Sequence, residues 1–365
     1  MLKQNLFIVL IISILSCNNN SKTDNGNTEF IKGVQITSDD TDFIGETILW
    51  IGDGMAVVRS SGGNSLCKLY KLNGDKLIFS GNLINKGSGP GELYSAYTAA
   101  SDQYLSIAEL VPGNAKMIRF HKDSLAHMAN STSQSHTAPT RQGMFSPVLQ
   151  NAYLWIDDHR FLILNAPMGE QNVLSVSDLK TDSQVSSNLW FDDGYNSNNF
   201  VKQNVYSRGT LYRKPGENRF VYACDYGNYI EAFSLTEDYQ VENRTVFEQR
   251  FPAFHTKDGI NFTFTKEDLQ KTNGIKYAVA SLSYFYAIAY NPIYDADMNN
   301  FVYKGYSNSH SDTLQVYDWE GNHIKTIILE LPAYSFSWDE KQRILYAITE
   351  AQDDAPNVLR AYQLE

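Results

Sequence analysis

Hydrophobic and polar residues alternate with a period close to two along most of the chain, the pattern of β-strands rather than helices. Residues 66–72 and 75–80 are two such runs around Asn73-Gly74, a dipeptide that accepts the positive φ of a tight hairpin turn. Near the other end, residues 313–319, Glu320-Gly321 and residues 322–329 repeat the design. A strand over 334–338, a turn over 339–343, a strand over 344–348 and a last strand over 358–364 complete the unit. Degenerate copies lie between: 153–164 with 173–179, 219–224 with 229–235, and 301–306 ahead of the 313 strand. Four-stranded antiparallel units recurring at about 40–50 residues predict an all-β chain folded as a β-propeller. The length allows seven compact blades or six with long loops. The last unit is one strand short, and residues 33–37 form a strand without a partner, so pairing it into the last blade would close the ring and remove exposed edges. A pair of β-sandwiches with irregular loops is the other architecture such strands allow. One stretch reads as a short helix in a long connection: Thr265 caps it, Asp268 follows three residues on, and Asn273-Gly274 stops it.

Several segments resemble a known family. They are Lys276-Tyr-Ala-Val-Ala-Ser-Leu-Ser-Tyr-Phe-Tyr-Ala-Ile-Ala-Tyr, Leu314-Gln-Val-Tyr-Asp-Trp-Glu-Gly-Asn, Phe336-Ser-Trp-Asp, Ile344-Leu-Tyr-Ala-Ile and the loop Gly87-Ser-Gly-Pro-Gly-Glu. Together they are similar to the TolB-like six-bladed β-propeller lipoproteins of Bacteroidetes, best over residues 275–365. The resemblance implies six blades and a cell-envelope location. The family is known mainly by its fold, so the resemblance implies little chemistry.

The first residues depart from the alternating pattern. A short start carrying Lys3 leads into an apolar run over 6–15, closed by Ile14-Leu15-Ser16-Cys17. A charged region, an apolar region and a small residue before a cut are the layout of a secretory signal. The run is shorter than the ~20 residues needed to span a bilayer. Because it ends on Cys, it resembles a lipoprotein signal, cut before Cys17, which then carries the lipid. Leu15 is bulkier than the residue usual there, and a buried helix ending in Cys is the competing reading. The following residues are polar up to Phe30 and read as a flexible tether. The expected organisation is a signal peptide over 1–16, a lipidated Cys17 with its tether over 17–28, and one propeller domain over 29–365.

The net charge is −11, one unit more negative once Lys3 is removed, and Lys and Arg form no run. That excludes nucleic acid as a partner and leaves membrane attachment to the lipid anchor. The 23 Tyr and 19 Phe suit strands. Beyond the anchor only Cys67 and Cys224 remain; they lie in distant repeats, and a bridge requires Cα atoms within ~7 Å, so two buried free thiols are expected.

Candidate chemistry is sparse. The loop from Gly87 to Glu92 is glycine-rich, but Glu92-Leu93 stand where a phosphate loop needs Lys and Ser or Thr, which makes a sharp inter-blade turn the better reading. The seven His residues are scattered, with His121 and His127 expected on strand and loop. Asp192-Asp193-Gly194 and Asp295-Ala-Asp297 resemble fragments of calcium loops without the remaining ligands. No cofactor is expected, calcium being the one ion that carboxylates from several blades could gather at the central channel. No nucleophile elbow is present, and Cys224 and Cys67 read as core fillers. Asp123-Ser-Leu and Asp312-Thr-Leu resemble short O-glycosylation motifs. The best candidate ligand surface is the aromatic and polar loop carrying Trp190, Phe191, Tyr195 and Phe200, whose rings and amides suit sugars or peptides. The alternative packs Trp190 and Phe191 between blades. The sequence thus points to an envelope-anchored lipoprotein, with membrane contact through its lipid. Its propeller would bind or scaffold an envelope protein or glycan without catalysis. A lactonase- or esterase-like hydrolase or lyase, with a carboxylate or calcium site at the channel, is the alternative.

Overall fold

In the computed structural model the alternating segments become antiparallel sheets. The structure describes residues 27–40, 47–60, 63–101, 103–109, 116–130, 140–142, 153–164, 169–194, 197–257, 261–265, 268, 274–289, 293–295, 300–303, 306–307, 310–349 and 357–364. Four sheets share one plan, in which four strands consecutive in sequence lie side by side. The first holds Thr47–Gly52, Met55–Arg59, Ser65–Asn73 and Lys76–Lys86. The second holds Tyr97–Ala100, Tyr104–Glu109, Lys116–His121 and Thr140–Gln142. The third holds Tyr153–Trp155, Arg160–Ile163, Leu174–Asp178 and Ser183–Ser187. The fourth holds Gly209–Arg213, Phe220–Cys224, Tyr229–Leu235 and Val241–Gln249.

The fifth and sixth sheets share a strand. His323–Asp339 pairs through its first half with Ser311–Tyr317, which continues the fifth sheet through Phe285–Ala289 to Ile275–Ala280. Its second half pairs with Ile344–Thr349, and Val358–Gln363 follows. Pro332, which has no N–H to give a ladder, lies where the strand passes from one sheet to the next. The fourth strand of the sixth sheet comes from the other end of the chain. Val34–Ser38 pairs antiparallel with Val358–Gln363, Val34 opposite Ala361 and Ile36 opposite Leu359. This is the unpartnered strand that the sequence pattern assigns to the last blade.

Side chains of alternating parity explain why the inner strands are so apolar. In Phe220–Cys224, Phe220, Tyr222 and Cys224 pack against the third sheet, while Val221 and Ala223 pack against the fifth. In Phe285–Ala289, Phe285 and Ala287 face the fourth sheet, and Tyr286 and Ile288 join a core with the sixth. Each large side chain buried this way contributes about 1.5–3 kcal/mol. Equivalent cores join the first sheet to the second through Leu69 and Ile107, and the second to the third through Met117 and Phe161. A further core joins Tyr346, Ile348 and Ile36 of the sixth sheet to Ile48, Ile51 and Val58 of the first.

The structure refines several expectations. Sheet pairing starts inside the polar tether: Asn27–Ile31 runs parallel to the outer edge of the fifth sheet, Asn27 opposite Lys325 and Ile31 opposite Leu329. Backbone hydrogen bonds need no apolar side chains, so hydropathy gave no sign of this strand. The Asn73-Gly74 hairpin is displaced by one residue, because Asn73 pairs with Lys76 and the turn residues are Gly74, at φ 61°, and Asp75. Two helices, Lys122–Asn130 and Asn199–Tyr206, occupy places read as loop, with His127 on the first and His121 on the preceding strand. The second helix is capped by Asn198, whose side chain accepts from the N–H of Val201. The expected Thr265 cap is present, with the N–H of Asp268 donating to Thr265 Oγ1 at 3.1 Å, and residues 269–273 lie outside the described residues.

Gly33 joins the two N-terminal strands under close cover. A Cβ there would stand 2.7 Å from the Tyr362 ring, and Arg360 Nη1 donates to the Gly33 carbonyl at 3.1 Å while holding Glu330 at 2.9 Å. Gly33→Val is therefore expected to cost about 1–3 kcal/mol in chemical denaturation, while Lys32→Val on the exposed neighbour stays within ~0.5 kcal/mol. Equal effects would show that the seam is not tightly packed. Cys67 and Cys224 are both free and buried, and burial pushes their thiols up to about 12 and about 11. Both should alkylate with iodoacetamide at pH 8 more than about 100-fold faster in denaturant than in the native protein.

Candidate functional site

The two ends of the inner strands are built differently. Where they finish, the chain turns at once, over 53–54, 101–103, 156–159, 214–219, 281–284 and 340–343. Where they begin, connections are long: 87–96 leads into the second sheet, 188–208 into the fourth and 250–274 into the fifth. Tight turns are fixed by local backbone geometry, whereas long connections can carry recognition chemistry on a rigid frame.

That frame is tied together around the inner strands. Thr98 Oγ1 of the second sheet donates to the Leu49 carbonyl of the first at 3.0 Å, and the Tyr153 hydroxyl of the third donates to the Tyr97 carbonyl at 3.3 Å. Arg213 Nη1 of the fourth donates to the Ile156 carbonyl at 2.9 Å, and the Ala278 N–H of the fifth donates to the Tyr212 hydroxyl at 2.8 Å. Tyr277 and Phe336 place ring centroids 5.7 Å apart between fifth and sixth sheets, and the Ile48 N–H of the first donates to Ser335 Oγ of the sixth at 2.9 Å.

At the long-connection end, side chains from separate sheets come within electrostatic reach of one another. Arg59 closes the second strand of the first sheet, is exposed, and donates through Nη2 to Thr47 Oγ1 at 2.9 Å. Asp225 follows the second strand of the fourth sheet, and Tyr277 stands on the inner strand of the fifth. Burial pushes the Tyr277 hydroxyl above the usual tyrosine range; Arg59 opposes the shift and Asp225 adds to it, so both charges act on this one ring. Burial also pushes the Tyr212 hydroxyl up, with Asp225 and Tyr277 adding to the shift. A cation, a carboxylate and tyrosine rings around one mouth can orient a polar ligand and cover its apolar parts. None of these residues was singled out from the sequence, because they lie far apart along it. Their common signal is a polar residue at the close of a second strand, as at Arg59, Glu109 and Asp225.

The residues nominated from the sequence separate. Phe191 is 1% exposed and belongs to the core, its ring 4.6 Å from Tyr206 and 4.9 Å from Tyr222, so it offers no ligand surface. Trp190 packs half-buried on the same core, and its carbonyl accepts from Arg244 Nη2 at 3.1 Å. Phe200 is half-buried on the first turn of Asn199–Tyr206; Tyr195 and Cys17 lie outside the described residues.

Asp193 does not serve a calcium loop. Its side chain is fully buried, ion-paired with Lys202 and accepting from the Tyr206 hydroxyl at 2.7 Å, which pins the connection to the helix. Beneath it Glu231, also buried, accepts from Arg244 Nη2 at 2.8 Å and from the Tyr229 hydroxyl at 2.6 Å. Asp295 is described without its side-chain surroundings, and Asp297 lies outside the described residues. The glycine-rich loop is occupied by its own carboxylate: Glu92 Oε2 accepts from the Gly89 N–H at 2.9 Å, filling the place a phosphate would need. Ser124 is exposed on the first helix, whereas Thr313 Oγ1 donates to Asp312 at 2.8 Å. Among the described residues, no group of three or more His, Cys, Asp or Glu is placed to hold a metal ion.

No curated protein matches the sequence. Several solved structures are similar at low identity. U3-55K shares 11% identity at a TM-score of 0.44, over 87% of this chain and 95% of its own. A protein of unknown function from Bacteroides thetaiotaomicron shares 13% at 0.44, over 91% and 76%. BamB from Moraxella catarrhalis shares 11% at 0.36, over 86% and 68%. The family described as TolB-like 6-blade propeller-like matches residues 51–341, from the first sheet into the last. With that span and these four-stranded sheets, the chain belongs to the TolB-like six-bladed propeller family.

Proposed function

We propose that the chain is an envelope-anchored lipoprotein whose propeller binds a protein or glycan partner without catalysis. The observation that carries this reading is that Arg59 and Asp225, from two other sheets, both act electrostatically on Tyr277 at the end where the connections are long. Exposed charge beside half-buried rings is the chemistry of recognition, with electrostatics setting approach and the rings supplying contact. The Cys17-terminated leader supports attachment to the envelope through lipid, with the propeller on the periplasmic or outer face. The reading takes the six sheets as a closed ring with Val34–Ser38 completing its last blade, and the core between sixth and first sheets supports this. A closed ring holds the mouth rigid, which lowers the ordering cost of docking.

Full-length protein solubilised in detergent from its own host, with Arg59→Glu alongside, provides the test. Wild type should retain one envelope protein, or one class of surface glycan, in stoichiometric amount at moderate salt. Because Arg59 is exposed, the substitution should leave the thermal midpoint unchanged and weaken retention by about tenfold, equivalent to ~1.4 kcal/mol. An empty bait that remains folded would sink the binding reading. Calcium-dependent hydrolysis of an ester or lactone by that bait would put the enzyme reading in its place.

A further inference from the structure

The outer rim of the propeller is uneven in its exposed apolar side chains. Among the described residues, ten large hydrophobics are exposed, and five of them lie on three successive sheets. Phe30, 60% exposed, and Ile324 belong to the outer edge of the fifth sheet, and Val34, 61% exposed, to that of the sixth. Ile78 and Phe79 belong to the outer strand of the first. The arc is continuous, since Val34–Ser38 pairs on one side with Val358–Gln363 and on the other, in parallel, with residues 76–77 of the first sheet's outer strand. Phe30 and Ile324 share one face of their edge. Phe30 stands opposite Ile328, which has the parity of Ile324, while Ile31, Ile327 and Leu329 turn into the core.

The same arc is where the chain from Cys17 arrives. Ten residue steps separate Cys17 from Asn27, a reach of at most about 35 Å when fully extended. A coil of ten steps averages about 16–19 Å end to end. That is less than half the width of a domain of this length, about 50 Å across, so a lipid at Cys17 biases the arc toward the half of the molecule nearest the membrane. Charge does not oppose contact there. In a chain of net charge −11, the arc carries Lys32, Lys76 and Lys325 against Glu29, Asp39 and Asp75, with Lys325 paired to Glu29 at 2.8 Å.

We propose that the rim formed by Asn27–Ser38 and the outer strand of the first sheet rests on the lipid surface, Phe30 and Val34 entering the headgroup boundary, so that the propeller stands edge-on and its long-connection mouth opens along the membrane. The proposal rests on lipidation at Cys17. An amphipathic edge beside a covalent anchor adds contact that neither provides alone.

The test uses the mature full-length chain in vesicles of phosphatidylethanolamine and phosphatidylglycerol containing a brominated lipid. Single substitutions Phe30→Cys, Val34→Cys, Tyr94→Cys and Val185→Cys carry a bimane label; Cys67 and Cys224 are buried and stay unlabelled in the native protein. Tyr94 lies in the connection between first and second sheets, and Val185 on the outer strand of the third. Labels at positions 30 and 34 should lose about half their emission or more, and labels at 94 and 185 little, because bromine quenches only at contact with the acyl boundary. Equal quenching at all four positions, or quenching only at 94 or 185, would overturn the proposal while leaving lipidation intact. Mass measurement of the mature chain separates the two claims: an unacylated Cys17 would remove the anchoring reading and this proposal with it.

Discussion

Every sheet in this molecule has to be covered on both faces. Antiparallel sheets commonly leave one face to water, and their strands then alternate cleanly between apolar and polar. Here the second strands of the sheets are buried almost throughout, as in Phe220–Cys224, where odd and even positions serve different neighbours. A single blade taken out of the molecule would expose one apolar face to water whichever way it turned. Stability is therefore held in common, and the two chain ends solve each other's problem. Val34–Ser38 supplies the last sheet with its outer strand, and Ile36 with it enters the core shared with the first sheet. Linear repeat arrays need separate capping repeats for this purpose.

Burial on both faces also explains the buried ions. The long connection into the fourth sheet crosses an apolar interface, and two carboxylates fasten it. Asp193 takes Lys202 and the Tyr206 hydroxyl; Glu231 takes Arg244, which reaches up to the Trp190 carbonyl. Such pairs add little net stability over apolar packing, but removing one partner strands a charge in the interior. Their effect is to hold one arrangement of residues 188–206 against the sheets. Phe191 of that connection is thereby committed to the core.

Much of the fold could be read along the chain because the turns and the alternation are local. Residues 66–80 and 313–329 announced hairpins, and the single strand at 33–37 matched the single vacancy in the last unit. What escaped was short or depended on partners. Tyr97–Ala100 has too few residues to show a period, and Asn27–Ile31 is held by a sheet edge with Phe30 and Ile31 as its only apolar residues. Asn199–Tyr206 gave no helical signal because two of its five buried residues, Lys202 and Gln203, are polar. The candidate site was less visible still. Arg59, Asp225 and Tyr277 act on one another only after the first, fourth and fifth sheets have been placed in the fold, and no spacing within one repeat brings them together.

The geometry assigns different freedoms to different surfaces. Tight turns at the ends of the inner strands are bound by backbone conformation, as at Gly54 with its positive φ, and leave little room for variation. Outer strands need only pair and resist aggregation, so an apolar side chain such as Phe30 on an outer edge carries a risk of edge-to-edge association that a covering surface removes. The long connections carry only short pairings, such as Glu92–Leu93 and His255–Lys257 with Asn261–Thr263, and leave the most room for variation. On the proposed rim contact, those connections would stand clear of the membrane and the mouth would face neighbours anchored in the same surface. Encounter between two membrane-bound partners is a search in two dimensions, so modest contacts at the mouth suffice where a soluble partner would require tighter ones.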